Sequence, residues 1–251
     1  DASGRYMRSV KVPGIINDPA QIDEGAVWLK RQITLPEGDW ETVSVLFKGA
    51  RYNPAVYING DRVSFREGGM GPRRHYLKHA DLRPGNTITL EVELLSLADM
   101  SEDNASYTPI ADHWRSSVSA YLWDDVVLHF HKGAAIDRMI PFTDIHKDRV
   151  DFHVYVKELL DDVKVDSITA RLSLNGELKA EGSISLKAGE LMAVVPVEFN
   201  GEIELWSPDF PNLYDLEVDL ISSSDVIDRR SYPYGAKEFK LDESGKQFIL
   251  N

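Results

Sequence analysis

The sequence predicts an all-β chain of two consecutive sandwiches, a jelly roll followed by an immunoglobulin-like domain. Three observations lead there. Apolar and polar residues alternate along most of the chain, turn signals recur roughly every ten residues, and helical periodicity is poor throughout. Residues two apart share one face of a strand, so such alternation builds a sheet with one wet and one dry side.

The alternating runs follow in order. Val43, Val45 and Phe47 share one face against Thr42, Ser44 and Leu46. Ile88, Leu90, Val92 and Leu94 alternate with Thr87, Thr89, Glu91 and Glu93. Val126, Leu128 and Phe130 alternate with Val127, His129 and His131. In the second half, Val150, Phe152, Val154 and Val156 form one face, as do Ile168, Ala170, Leu172 and Leu174, and then Tyr214, Leu216, Val218 and Leu220. Between the runs stand Pro36-Glu-Gly-Asp39, Asn59-Gly-Asp61, Arg83-Pro-Gly-Asn86, Asn175-Gly176 and Asn200-Gly201. Asn-Gly between apolar runs is a hairpin signal, because both residues tolerate positive φ. Lys157 to Val163 has some helical content but sits between strands, and Ser222-Ser-Ser-Asp225 reads as a hairpin turn.

A boundary is expected at His131-Lys-Gly-Ala-Ala135, where the composition turns small and flexible. It divides the chain into a jelly-roll domain (1–133), an immunoglobulin-like sandwich (134–239) and a short C-terminal stub (240–251). The charge balance shifts at the same place. Residues 1–133 hold 15 Lys+Arg against 18 Asp+Glu, a net of -3, and residues 134–251 hold 13 against 23, a net of -10. The total of -13 leaves no basic stripe to follow phosphates, so nucleic acid is not an expected partner, and neither is an anionic membrane surface. No apolar run nears the roughly eighteen residues of a transmembrane helix. The chain has no cysteine, which removes disulfides and thiolate chemistry together. It opens on Asp1 with its first methionine at Met7, pointing to a cleaved leader or a trimmed start. A periplasmic or extracellular location is favoured over a cytoplasmic one, though neither the cysteine count nor the start of the sequence fixes the compartment.

Several motifs line up in one order. Gly25-Ala-Val-Trp-Leu-Lys-Arg-Gln-Ile-Thr-Leu-Pro36 precedes Leu46-Phe-Lys-Gly-Ala50, Ala55-Val-Tyr-Ile-Asn-Gly60 and Asp81-Leu-Arg-Pro-Gly-Asn86. Tyr121-Leu-Trp-Asp-Asp-Val126 closes the first domain, with Ala120-Tyr121 where a glycine is usual. Trp206-Ser-Pro-Asp-Phe-Pro-Asn-Leu-Tyr214, Tyr234-Gly-Ala-Lys-Glu-Phe239 and Lys246-Gln-Phe-Ile-Leu-Asn251 end the chain. Over residues 22 to 251 this resembles the front half of a glycoside hydrolase of family 2, whose members include β-galactosidases, β-glucuronidases and β-mannosidases.

The resemblance implies hydrolysis of β-glycosidic O-linkages, β-galactosidase-like, by a catalytic barrel of the same protein that would lie downstream. A retaining glycosidase needs two carboxylates about 5–5.5 Å apart. In this family both belong to the barrel, so no catalytic residue is carried onto this sequence. Carbohydrate and the missing barrel are the implied partners, with a homo-oligomer as a further option and no cofactor.

The long polar segment Asp99 to Asp124 is too long for a hairpin, and long loops are often functional. By the resemblance it reaches the substrate, with Asn104, Asp112 and His113 offering polar groups to sugar hydroxyls and Trp114 a stacking face. Packing against the barrel is the plainer alternative. The other aromatic and histidine residues read as structural. Trp28 and Trp123 are expected in the core, Trp206 at a sandwich edge, and Trp40 as the exposed ring. His75 and His79 read as solvated surface, His129 and His131 as a polar solvent or interdomain face, and no metal site is expected. Two other functions fit the same strands: a stand-alone carbohydrate-binding module, or an accessory domain of another sugar-acting enzyme such as a sialic-acid esterase, which is similar around Val27-Trp28 and Asn59-Gly60.

Overall fold

The computed structural model describes residues 6, 9–14, 26–68, 71–95 and 121–251. Among them every regular element is a strand, and none is a helix. The chain divides into two compact units, Asp1–His131 and Lys132–Asn251.

In the first unit the strands are β1 (Val27–Thr34), β2 (Thr42–Phe47), β3 (Ala50–Arg51), β4 (Ala55–Ile58), β5 (Asp61–Phe65), β6 (Arg73–Leu77), β7 (Thr87–Leu94), β8 (Tyr121–Leu122) and β9 (Val126–His131). One sheet runs β1-β7-β4-β5 and another β6-β2-β9, with β3 and β8 forming a short pair. Every residue of β1 pairs with one of β7, from Val27↔Leu94 to Thr34↔Thr87. Alternation decides the faces. Ile88, Leu90, Val92 and Leu94 join Val56 and Ile58 in a core whose other residues include Val43, Val45, Phe47 and Leu77.

The second unit holds β10 (Ala134–Asp144), β11 (Arg149–Glu158), β12 (Ser167–Leu174), β13 (Glu177–Ser185), β14 (Met192–Glu198), β15 (Tyr214–Ser222) and β16 (Asp225–Tyr234). A three-stranded sheet, β10-β11-β14, faces a four-stranded one, β13-β12-β15-β16. Val150, Phe152, Val154, Val195 and Val197 from one sheet pack with Ile168, Ala170, Leu172, Val218 and Leu220 from the other. At the seam, β13 comes so close to β14 that a Cβ on Gly182 would stand 1.9 Å from the Pro196 carbonyl oxygen, so no other residue fits. On the outer face of the larger sheet, the Asp219 carboxylate accepts from Arg171 at 2.8 Å and from Arg229 at 2.6 and 2.9 Å. Burial raises the pKa of that carboxyl, but the two guanidiniums outweigh it and hold it below the ordinary carboxylate range.

The turns carry the backbone chemistry their sequences require. Asn59-Gly60 and Asn175-Gly176 close two-residue hairpins with positive φ at both positions (52° and 95°; 53° and 81°). Ser223 and Ser224 do the same between β15 and β16. Asn200-Gly201 differs. It leads into a long connection to β15 rather than a hairpin, and only Gly201 has positive φ. Lys157–Val163, short and between strands, forms no helix. β11 runs to Glu158, and the amides of Leu159 and Leu160 then donate to the Gly133 carbonyl.

Candidate functional site

Asn104, Asp112, His113 and Trp114 lie outside the described residues. What the structure does place are the two ends of the segment that carries them. Leu95 exchanges backbone hydrogen bonds with Tyr52, at 3.0 and 3.1 Å. Tyr121 pairs with Arg51 in the β3–β8 ladder. Both ends therefore emerge at one turn, Arg51-Tyr52-Asn53, between β3 and β4.

That turn is built to hold a shape. Arg51 is buried, donates from Nη1 to the Tyr121 hydroxyl at 2.9 Å, and lies over the rings of Tyr52 and Tyr121 at 5.4 and 5.5 Å. Asn53 has φ of 46°, a conformation asparagine tolerates better than most residues. Its Oδ1 accepts from the Gly68 amide at 2.6 Å, and its own amide donates to the Gly68 carbonyl at 3.0 Å. Neither Arg51 nor Asn53 stands out in the residue pattern, because a charged residue and an amide beside a tyrosine give no periodic signal.

Beyond Gly68 lies a groove of about 570 Å³ lined by Ser64, Phe65, Arg66, Glu67 and Arg73. Beside it stands His75, which corrects the expectation of a solvated histidine. It is fully enclosed, its Nδ1 2.9 Å from Ser64 Oγ and its ring edge-on to Phe47 at 5.3 Å. Burial first, then the charges of Arg66 and Arg73, push its pKa down to about 4, so it is neutral at pH 7. His79 is partly covered and lies 3.3 Å from Asp61 Oδ2. His131 is enclosed, with Nε2 2.8 Å from Ser44 Oγ. Among the described residues, no three His, Cys, Asp or Glu side chains gather as a metal site would require.

The tryptophans correct three more expectations. Trp28 is 42% exposed, because residues 28, 30, 32 and 34 form the wet face of β1 while Val27, Leu29 and Ile33 pack on the core. It contacts Tyr57, with ring centroids 4.9 Å apart, and the Tyr57 hydroxyl donates to Glu93 at 2.8 Å. Trp123 is 37% exposed, its ring lying on the backbone of Gly49. Trp40 is buried instead of exposed. It packs on Phe130 at 4.8 Å and donates from its indole to the Pro36 carbonyl at 3.0 Å.

At the other end of the chain, the Trp206-to-Tyr214 motif ties the second sandwich to its C-terminal hairpin. The Tyr214 hydroxyl, buried, accepts from the Glu204 amide at 2.8 Å, which satisfies a backbone donor across the corner. Trp206 lies against Gly235, where a Cβ would meet its ring at 2.9 Å, and Lys237 covers the ring at 4.4 Å. Strands β17 (Phe239–Leu241) and β18 (Phe248–Leu250) then pair, and Asn251 closes the hairpin. Its side chain donates to the Trp206 carbonyl and accepts from the Glu238 amide, both at 3.0 Å. The hairpin shows Phe239 and Phe248 stacked at 5.1 Å and 64% and 72% exposed.

Comparison with known proteins agrees with this architecture. Residues 135–237 match the family model described as Glycosyl hydrolases family 2. A β-galactosidase of Thermoanaerobacter pseudethanolicus is 21% identical over 243 residues, covering 88% of this chain and 30% of that protein. A β-glycosidase from Bacteroides vulgatus superposes with a TM-score of 0.62 at 20% identity, over 90% of this chain and 28% of its own. The β-glucuronidase of Ruminococcus gnavus does so with a TM-score of 0.65 at 16% identity, over 94% and 40%. The chain thus spans less than half the length of these relatives.

Proposed function

We propose that this chain, a segment of a glycosyl hydrolase family 2 protein, is the non-catalytic front portion of an enzyme that hydrolyses β-glycosidic O-linkages, β-galactosidase-like. The observation that carries the reading is the ordered pair of sandwiches with the Asn251 clasp, whose hairpin holds two stacked, exposed phenylalanines. The sandwiches position a downstream catalytic barrel, and the segment holding Asn104, Asp112, His113 and Trp114 completes the substrate pocket. Its anchoring at the rigid Arg51–Asn53 turn supports that role, since a contact loop works best from a fixed base.

In the longer enzyme, Asp112→Ala together with Trp114→Ala raises KM or lowers kcat by about tenfold or more, the scale of lost hydrogen bonds and ring stacking. Steady-state kinetics on an aryl β-galactoside checks this, and unchanged constants remove the segment from the pocket.

The exposed hairpin also bears on association. Burying a phenylalanine is worth roughly 1.5–3 kcal/mol. The 251-residue chain alone therefore self-associates, and Phe239→Ser with Phe248→Ser weakens that association about a hundredfold or more. Sedimentation across a concentration series reads this out. A clean monomer of the unaltered chain at high concentration contradicts it.

The alternative of a stand-alone carbohydrate-binding module has one observation in its favour, the solvent-facing Trp28–Tyr57 pair beside Glu93. Calorimetric titration with galactosides, comparing the chain with Trp28→Ala, decides that point.

A further inference from the structure

The groove between the end of β5 and the start of β6 has a composition that the scaffold role does not use. Phe65 forms an apolar wall, 37% exposed, with the Arg62 guanidinium 4.8 Å from its ring centroid. Arg66 and Arg73 line the same space, and neither pairs with a carboxylate among the described residues. Among those residues the side chain of Arg73 hydrogen-bonds only to the neighbouring Pro72 carbonyl, at a long 3.4 Å. Its Nη2 lies where a Cβ on Gly68 would be, 2.7 Å away, so the glycine makes room for the guanidinium against the backbone. That glycine is in turn fixed by Asn53. Glu67 also lines the groove and leaves both arginines alone. In a chain of net charge -13, two guanidiniums in one groove with no carboxylate partner among the described residues are against the trend of the surface.

We propose that this groove binds an acidic saccharide, its oxyanion held by Arg66 and Arg73 and its ring laid against Phe65. Planar guanidinium forks match carboxylate and sulfate oxygens, and such charge-assisted bonds are about twice as strong as neutral ones. Glu67 accepts from sugar hydroxyls. The shared chemistry is an oxyanion on a sugar, whether a uronate carboxylate or a sulfate ester. The proposal rests on the carbohydrate reading above, yet its test is independent of turnover.

The test is calorimetric titration of the 251-residue chain with D-glucuronate, glucose 6-sulfate, glucose and inorganic sulfate at low and high salt. The expected result is binding of one or both acidic sugars and weaker or no binding of glucose. Higher salt weakens the binding several-fold, and Arg66→Ala with Arg73→Ala weakens it about tenfold or more. Binding of glucuronate alone identifies a carboxylate site, and of glucose 6-sulfate alone a sulfate site. A thermal melt of the double variant that matches the parent shows that the loss is local; should the double variant melt early, Arg66→Gln alone, at an exposed position, replaces it. Equal affinity for glucose, retention of affinity in the arginine variants, or binding of inorganic sulfate without either acidic sugar overturns the proposal. Loss of hydrolysis in the longer protein with acidic-sugar binding intact would sink the glycosidase reading and leave this one standing.

Discussion

Phe152→Ala lowers the stability of the second sandwich by about 3–5 kcal/mol, the cost of deleting a buried aromatic ring and leaving a cavity. Phe152 is fully buried at the middle of β11, flanked in register by Pro141 on β10 and Val195 on β14. Its ring meets Tyr234 edge-on at 5.6 Å, so the loss also strips a contact from β16 of the facing sheet. β11 is the centre of a three-stranded sheet, and neither neighbour can collapse into the space without breaking its ladder. Urea unfolding followed by tryptophan fluorescence checks this through the midpoint at an unchanged slope. A shift worth less than about 1 kcal/mol contradicts the packing described.

Acidification from pH 7 to pH 4 removes about 3 kcal/mol from the first sandwich through His75 alone. The sign follows from the depressed pKa. His75 titrates near 6.5 when unfolded and at about 4 when folded, so the unfolded chain takes up the proton first. The contribution is present above pH 6.5 and is lost as pH falls through the folded value. The imidazolium has no room for solvent and faces the positive charges of Arg66 and Arg73. His75→Gln keeps a neutral partner for Ser64 and flattens the stability profile between pH 6.5 and 4. Parallel urea titrations of the two proteins across that window read the difference. Equal slopes would place the histidine in solvent after all.

His75 also shows how far the sequence could be read. It lies in Arg73-Arg-His-Tyr-Leu77, where the polar composition points to surface. Its parity does not, because it shares its inward position with Leu77, also buried. Period two was the better guide than residue type, and the same holds for Trp28, an apolar ring on the wet face of β1. Where alternation was long and regular, as at Ile88–Leu94 or Val150–Val156, strand and core face were both legible. Trp40 was not, since it lies in the connection before β2 and is buried by tertiary packing on Phe130. Arg51 and Asn53 were invisible for a similar reason. Their importance comes from Leu95 and Tyr121, far along the chain, meeting at one turn. The Trp206-to-Tyr214 motif was legible as a signature, but its clasp to Asn251 was not, because a hydrogen bond across 45 residues leaves no local pattern.

The central claim, that these two sandwiches carry a platform whose chemistry belongs to a downstream barrel, is tested most directly by assaying aryl β-glycosides with the purified 251-residue chain beside the longer polypeptide that contains it. No turnover is expected from the chain, and turnover is expected from the longer polypeptide. Hydrolysis by the 251-residue chain itself, surviving further purification, would contradict the claim.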